Sequence, residues 1–503
     1  MIKASSNSST FSLSFYQRAV MVHVAFALLK IFFVFYGGTS LFFEEAQYWV
    51  WSKYPDLSYY SKPPLIAWVN YLVTGVLGDT EFSIRICAIL CGFFIGIVIY
   101  RLSFSMFGNP RKAFWSSVLL IAFPYFWIIS FFFTTDSLVT LFWVWALYAF
   151  HKAISGKPLH WIGTGLAVGL GMLSKYVMIF FWPLALVYIF FRARTHFTNP
   201  FLYLSILLSL IFLLPVVYWN YVHDWVTFKH VWALAGGGSG SGDLSFIRSF
   251  KQVLEFLGGQ FGLWIIIFPI IILRGFREFF EGRLKGDNFY IIFFILPVAS
   301  FFLILSLATR IEVNWTFFVL PPIAIYIAGN ISGKQFPYYP RMALVCTLMI
   351  LFFLIPIIAE VTNLPAKYNP MKRVIGWESM ASELQGKLDA IDEPYQVVAD
   401  SYQTASMLSF YLSDNPIVYS MSPGKRMNQF DLWRDEYGIE HEDMTTVFVG
   451  RNKLEDPFEY EIFGVPLDEM QVGIPYNSTE QESFVVVIYE HFKDFQLDAS
   501  KAY

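Results

Sequence analysis

"FFEEAQYWVWSKYPDLSYYSKPPLIAW", residues 42–68, ends a long apolar run with charges, prolines and aromatic rings crowded together. Two adjacent carboxylates, Glu44 and Glu45, stand at the edge of that run, and Lys62 is held in front of Pro63 and Pro64. An acid pair and a lysine just beyond a first hydrophobic segment place ionisable chemistry at a boundary where desolvation is costly.

The rest of the chain makes that boundary a membrane edge. Charged residues are 15% of the 503 and hydrophobic ones 56%, whereas soluble domains carry about 25% charged residues. With a mean hydropathy of +0.51, lipid is part of the solvent. The 55 Phe, 16 Trp and 29 Tyr suit a lipid-facing surface with interfacial belts. A net charge of −3 argues against nucleic acid as a partner. Cys87, Cys91 and Cys346 all fall in apolar runs. The first two are spaced for one helical face, but no further ligands stand nearby, which reads as packing and not as a metal pair.

Runs of about 20 apolar residues mark spans. The runs lie near 20–41, 82–100, 113–133, 137–151, 161–174, 177–191, 201–219, 253–273, 288–308, 315–332 and 342–359. The expected fold class is a mainly α polytopic membrane protein of about 11–13 transmembrane helices, followed by a small α/β domain. Alternate connections carry Arg101, Arg111 and Lys112; Lys152 and Lys157; Arg192 and Arg194; Arg274, Arg277, Arg283 and Lys285; then Lys334 and Arg341. That alternation predicts a cytoplasmic N-terminus, with residues 1–18 as a polar tail. The first run is too long for a signal peptide and is read as a retained helix.

An odd number of spans then puts residues 361–503 outside. There, charge becomes ordinary, and 396–399, 416–419, 445–449 and 484–489 read as strands. Residues 400–412 read as a turn and an amphipathic helix, and the Gly/Ser stretch 233–244 as a flexible outer loop.

On this threading the ionisable residues gather at the outer leaflet: Glu44 and Glu45, Asp136, Lys175, Asn220, His223 and Asp224, then Arg310, Glu312 and Asn314. Singly, each has a plain structural reading. Asp136 suits a helix N-cap, His223 and Asp224 a wet interfacial pair, and the nearby Trp residues an aromatic belt. Together, three separated cations (Lys62, Lys175, Arg310) and an acid pair suit an anionic ligand arriving in lipid. A phosphate on a polyprenyl chain needs such cations, Lys as a point charge and Arg as a planar fork. A carboxylate there can take the proton of an attacking hydroxyl or stabilise an oxocarbenium-like sugar.

"EEAQYW" with "YYSKPPLIAW", and in the same order "FTTDSLVTLFWVWALY", "GLGMLSKY", "VYWNYVHDW", "TRIEVNWTFFVLPP", "ADSYQTASMLSFYL" and "RMNQFDLW", resemble the C-type (GT-C) membrane glycosyltransferases. The match is to the bacterial branch of the protein mannosyltransferase and aminoarabinose transferase superfamily. The resemblance implies a transmembrane domain over 19–360 with a catalytic first periplasmic loop, residues 42–81, and transfer from undecaprenyl-phosphate sugars with inversion. It implies Glu44 or Glu45 as base, Glu standing where the family has Asp at the first position. Lys62, Lys175 and Arg310 become donor-phosphate contacts. Asp136, Tyr59, Tyr60, His223, Asp224, Glu312 and Asn314 become supporting or acceptor-binding residues.

Acceptors implied are lipid A, core sugars, another envelope glycan or a protein. No nucleotide cofactor and no metal ligand set is implied, a divalent cation remaining open, and the enzyme is expected as an inner-membrane monomer. The alternative is a transporter or lipid flippase, which Lys30 in the first span would serve, although no internal repeat supports it. Neither a P-loop, a dinucleotide fingerprint nor HExxH is present, and the triplet at Asn477 is a common chance match.

Overall fold

The structure is a computed structural model that describes residues 13–234, 246–264, 277–278, 281–282, 286–330, 365, 367, 369, 371–421, 427–437, 444–452, 463–476 and 481–491. The span expected at 342–359, parts of those at 253–273 and 315–332, Cys346, Asn477 and most of the Gly/Ser stretch lie outside the described residues.

Helix α1 (Phe15–Tyr36) starts earlier than its apolar run because Ser14 and Gln17 form a reciprocal capping box. It stops at Gly37, short of residue 41, and Gly38 turns the chain at φ 58°. The first loop then folds into α2 (Phe43–Lys53) and α3 (Leu65–Leu77). Helix α4 (Glu81–Phe107) is capped by the Thr80 hydroxyl and ends at left-handed Gly108. The run at 113–133 is not one span. It forms α5 (Pro110–Leu119), a short 3-10 turn and α6 (Pro124–Ile129), because Pro124 lacks an amide proton and holds Phe123 extended.

Then follow α7 (Thr135–Ile154), α8 (Leu159–Ser174), α9 (Phe181–Arg192), α10 (Pro200–Ile211), α11 (Leu214–Val222), α12 (Val226–Leu234), α13 (Phe246–Trp264) and α14 (Gly286–Leu305). The run at 315–332 is also divided: a 3-10 segment, Val313–Val319, meets Pro321 and Pro322 before α15 (Ile323–Asn330). Among the described residues five helical stretches are long and apolar enough to cross a membrane: 15–36, 81–107, 135–154, 200–222 (α10 running on into α11) and 286–305.

Small residues let these helices approach. A Cβ at Gly96 would fall 2.2 Å from the His23 ring of α1, and one at Gly165 of α8 would fall 2.6 Å from the Ser205 carbonyl oxygen of α10. Backbone cannot step aside as a flexible side chain does, so Gly165→Ala is expected to destabilise the fold by about 1–3 kcal/mol. The check is a lower thermal midpoint in detergent. Gly75→Ala, where an added methyl meets nothing within 4 Å, should not lower it.

The C-terminal part is a five-stranded sheet in the order β2-β1-β3-β5-β4: β1 (Tyr395–Ala399), β2 (Tyr419–Ser420), β3 (Thr445–Gly450), β4 (Pro466–Pro475) and β5 (Gln481–Tyr489). Strand β1 pairs in parallel with β2 and β3, and β5 antiparallel with β3 and β4. Helices α16 (Trp377–Leu388), α17 (Tyr402–Tyr411) and α18 (Gln429–Tyr437) accompany the sheet.

One core cluster joins this sheet to the first loop. Trp49, Trp51 and Tyr59 are packed with Trp377, Met407 and Phe410. The Trp49 ring meets Phe410 edge-on at 5.0 Å, the Leu41 amide donates to the Tyr411 hydroxyl at 2.6 Å, and the Tyr60 amide donates to Gln429 Oε1 at 2.6 Å. Each fully buried side chain of this seam contributes roughly 1.5–3 kcal/mol, so the C-terminal domain is fixed over the loop that carries the acid pair.

Candidate functional site

The acid pair enters the fold as the first turn of α2, where carboxylates complement the partial positive charge of a helix N-terminus. The structure sends the two acids in different directions. Glu45 is fully buried. Its Oε2 accepts from the Phe42 amide at 2.9 Å and its Oε1 from the Phe133 amide at 2.8 Å. Arg85 Nη2 lies 3.6 Å from Glu45 Oε2. The same buried guanidinium donates to the Thr39 carbonyl at 2.9 Å, the Thr39 hydroxyl at 3.1 Å and the Ser40 carbonyl at 2.6 Å. Glu45 and Arg85 therefore tie together the linker after α1, the start of α2, the N-terminal end of α4 and the chain before α7.

Glu44 is half-buried and accepts a long bond of 3.4 Å from the Tyr48 hydroxyl one helical turn on. Burial raises its carboxyl above the ordinary value; Lys62 and Lys175 pull it back, while Asp136 pushes it further up. Lys62 is lowered by burial and then by Lys175, with Glu44 and Asp136 opposing. The two lysines thus share one field with Glu44, and an incoming anion would favour the charged form of Lys62.

Lys62 owes its position to the turn before Pro63: the Tyr59 amide donates to the Lys62 carbonyl at 3.2 Å. Tyr59 is buried, and its hydroxyl donates toward the Trp51 and Tyr54 carbonyls at 3.0 Å each, so it braces the loop. Tyr60 is buried against Trp219 and Val226. Asp136 does not serve as the N-cap of α7, since Thr134 does. Its Oδ1 accepts from Lys175 Nζ at 2.7 Å and its Oδ2 from Asn314 Nδ2 at 2.8 Å. Asp136 and Lys175 are both nearly buried, so this pair joins α7, the end of α8 and the 3-10 segment beneath Glu44.

The structure does not bring Arg310 to this cluster. Its side chain is 72% exposed and stands 3.7 Å from Glu312, itself 62% exposed. The loop after α14 turns both outward and turns Asn314 in. His223 and Asp224 form the turn between α11 and α12. The His223 ring stacks on Trp219 at 3.9 Å, and Asp224 is exposed with φ 51°.

Lys30 is accounted for within the helix bundle. Its Nζ donates to the Ser130 hydroxyl and lies 3.8 Å from the Phe26 ring centroid. Arg85 was not among the expected site residues; its signal is an arginine one turn after Glu81, at the start of a long apolar stretch. Nor were Tyr48 and Tyr402. Tyr402 opens α17 of the C-terminal domain, and burial, followed by the charge of Glu44, raises its phenol to about 12. Among the described residues no three His, Cys, Asp or Glu side chains gather closely enough to hold a metal ion.

Known proteins resemble this chain in sequence and in fold. The family model described as dolichyl-phosphate-mannose-protein mannosyltransferase matches residues 61–219. Lipid A galacturonosyltransferase RgtD of Rhizobium johnstonii is 26% identical over 409 residues, 78% of this chain and 83% of that protein. Undecaprenyl phosphate-alpha-4-amino-4-deoxy-L-arabinose arabinosyl transferase 2 of Pseudomonas fluorescens is 24% identical over 266 residues, 50% of this chain and 44% of that protein. Of the solved structures, ArnT from Cupriavidus metallidurans bound to undecaprenyl phosphate shares the fold, with a TM-score of 0.62 at 16% identity over 93% of this chain and 97% of that one.

Proposed function

We propose that this chain, a polytopic membrane glycosyltransferase of the GT-C class in its bacterial branch, moves one sugar from an undecaprenyl-phosphate donor to an acceptor hydroxyl of the cell envelope. Lipid A or a related glycan is the acceptor class that the named relatives support. The observation that carries the reading is the half-buried Glu44 carboxylate sharing one electrostatic field with Lys62 and Lys175.

In this scheme Glu44 takes the proton of the acceptor hydroxyl. The freed oxygen bonds to the sugar C1 from the face opposite the phosphate, and the C1–O bond to phosphate breaks with inversion. The departing polyprenyl phosphate keeps the electron pair, and Lys62 and Lys175 neutralise it, so no protonating acid is needed at the leaving group. Asp136 and Asn314 position Lys175, and Glu45 with Arg85 positions α2. The scheme calls on no cofactor. The cluster is assigned to the periplasmic side of the inner membrane, with the C-terminal domain above it and the N-terminus in the cytoplasm, in a monomer.

The test is transfer of radiolabelled sugar from the lipid carrier by purified protein in proteoliposomes containing envelope glycolipid. Lipid flux across the bilayer without sugar transfer would favour the transporter reading instead.

The pH dependence has a definite sign. A base must be ionised, and the Glu44 carboxyl is raised, so turnover should fall on acidification at a pH above the ordinary glutamate value of about 4.3. Lys62→Met removes a charge that favours the carboxylate and should move the acid limb to higher pH. Its kcat–pH profile checks this; an unmoved limb would separate Lys62 from Glu44.

A further inference from the structure

Residues 37–42 carry the chain from α1 to the helix that bears the acid pair. Gly37 and Gly38 open this linker and do nothing to stiffen it. Its last four residues are nevertheless each held by a side chain through the backbone. Arg85 donates to the Thr39 and Ser40 carbonyls at 2.9 and 2.6 Å, and Glu45 accepts the Phe42 amide at 2.9 Å. Between these, the Leu41 amide donates to the Tyr411 hydroxyl at 2.6 Å. Arg85 and Glu45 belong to α4 and α2, the helices beside the linker. Of the three side chains, Tyr411 alone comes from the C-terminal domain, as the last residue of α17.

We infer, building on the glycosyltransferase reading above, that Tyr411 is a positioning residue for sugar transfer: by holding the Leu41 amide it fixes the start of α2 and so the place from which the Glu44 carboxylate acts.

The rest of the phenol's bonding suits that task. A tyrosine hydroxyl has one proton to give and lone pairs with which to accept. Tyr411 gives its proton to Glu81 Oε1, while Glu81 Oε2 lies 3.5 Å from Arg85 Nη1. With the proton directed at a carboxylate, a lone pair is left for Leu41, and the two bonds polarise each other. Glu81 is the first residue of α4, so one oxygen atom joins α17, α4 and the linker.

The same helix follows α2 beyond this point. Phe410 meets the Trp49 ring edge-on at 5.0 Å, and Tyr402, at the other end of α17, feels the Glu44 charge. Leu41 is fully buried and stands three residues before Glu44, with no glycine between them. Without the phenol oxygen its amide would be a buried donor lacking an acceptor, which drives the linker to re-seat. A displacement of about 1 Å at a reacting group, caused from a distance, can cost about a hundredfold in rate.

The experiment is Tyr411→Phe in the full-length protein in proteoliposomes, which removes one oxygen and keeps the ring. The kcat for transfer should fall by about tenfold or more. The KM for the donor and the affinity for undecaprenyl phosphate should stay within about twofold of the parent, because Lys62 and Lys175 are not on the linker. Hydrogen exchange read by mass spectrometry should quicken in the peptide covering residues 39–46 and stay unchanged in the peptide covering β1. In the Glu44→Gln background, Tyr411→Phe should cost less than about a further twofold, because the carboxylate it places is already gone. Tyr203→Phe removes a hydroxyl that donates to the Phe197 carbonyl at 2.8 Å and should alter none of these readouts.

Parent-like kcat in Tyr411→Phe would overturn the proposal, as would unchanged exchange at residues 39–46. So would an equal loss in the parent and in Glu44→Gln, which would make the hydroxyl a general stabiliser acting independently of the base. The exchange measurement keeps this inference apart from the reading it rests on. If the parent protein transferred no sugar, the transferase reading would fall, and exchange alone would decide whether Tyr411 holds the linker.

Discussion

Glu44→Gln is expected to lower turnover by about 10²–10⁴-fold, the usual contribution of a positioned general base, while the affinity for undecaprenyl phosphate stays near that of the parent. Gln keeps the shape and the bond to Tyr48 but takes no proton. The loss should appear in kcat and equally in kcat/KM, as for an interaction made only in the transition state. Glu45→Gln should behave differently, because both Glu45 oxygens are occupied by the Phe42 and Phe133 amides. Its amide nitrogen must face one of those donors or Arg85, so the defect should show as lower thermal stability, with activity reduced in proportion to folded protein. If Glu45→Gln abolished turnover in a fully folded protein and Glu44→Gln did not, the roles assigned to the two acids would be exchanged.

Arg85→Ala should be the most destabilising single change at the site. The guanidinium is fully buried, stands against Glu45 and serves the Thr39 and Ser40 carbonyls. Removing one partner of a buried pair strands the other and costs about 3–5 kcal/mol, a large share of typical net stability. Arg85→Lys keeps the charge but cannot reach two carbonyls with one planar fork and should fall between. Thermal unfolding in detergent measures both. Pairing Arg85→Met with Glu45→Met should cost less than the sum of the single changes, since neither of the two is then left as a buried unpaired charge, and only the partly exposed Glu81 loses its contact at 3.5 Å. Additive losses would show that the two residues do not act as a unit.

Glu44, Lys62, Asp136 and Lys175 were legible in the sequence because apolar runs fix which connections lie at the same end of the helices, and the structure gathers those four positions around one field. Which acid stays half-buried in the field of Lys62 and which is locked into the fold was not legible. It depends on Glu45 being the third residue of a helix that begins at Phe43, and on Arg85 arriving from a helix nearly 40 residues away.

Arg310 had the right residue type and, on the expected threading, the same end of the helices, yet the loop after α14 turns it to solvent beside Glu312. Hydropathy also ran across breaks that proline imposes, at Pro124 and at Pro321 with Pro322. Strand β1, strand β3 and the C-terminal half of β5 stood out as apolar clusters. Strand β4 did not, because its first half, from Pro466, is exposed at a sheet edge and carries no alternation.

A cavity of about 720 Å³ that Lys372, Arg373, Asn428 and Arg451 help to line was hidden for a different reason. Lys372 and Arg373 are neighbours in sequence, but Asn428 and Arg451 come from two other segments, and only the sheet and the α17 seam bring the three together. No spacing along the chain connects those three segments.

The central claim is that fixed ammonium groups hold a lipid-linked phosphate beside the Glu44 carboxylate. An electron cryo-microscopy structure of the protein in nanodiscs with undecaprenyl phosphate tests it most directly. The phosphate should lie within hydrogen-bonding distance of Lys62 or Lys175 Nζ, with the prenyl chain running into the membrane and Glu44 facing the open side of the phosphorus-linked oxygen. A phosphate bound beside Arg310, or anywhere beyond reach of both lysines, would contradict the account.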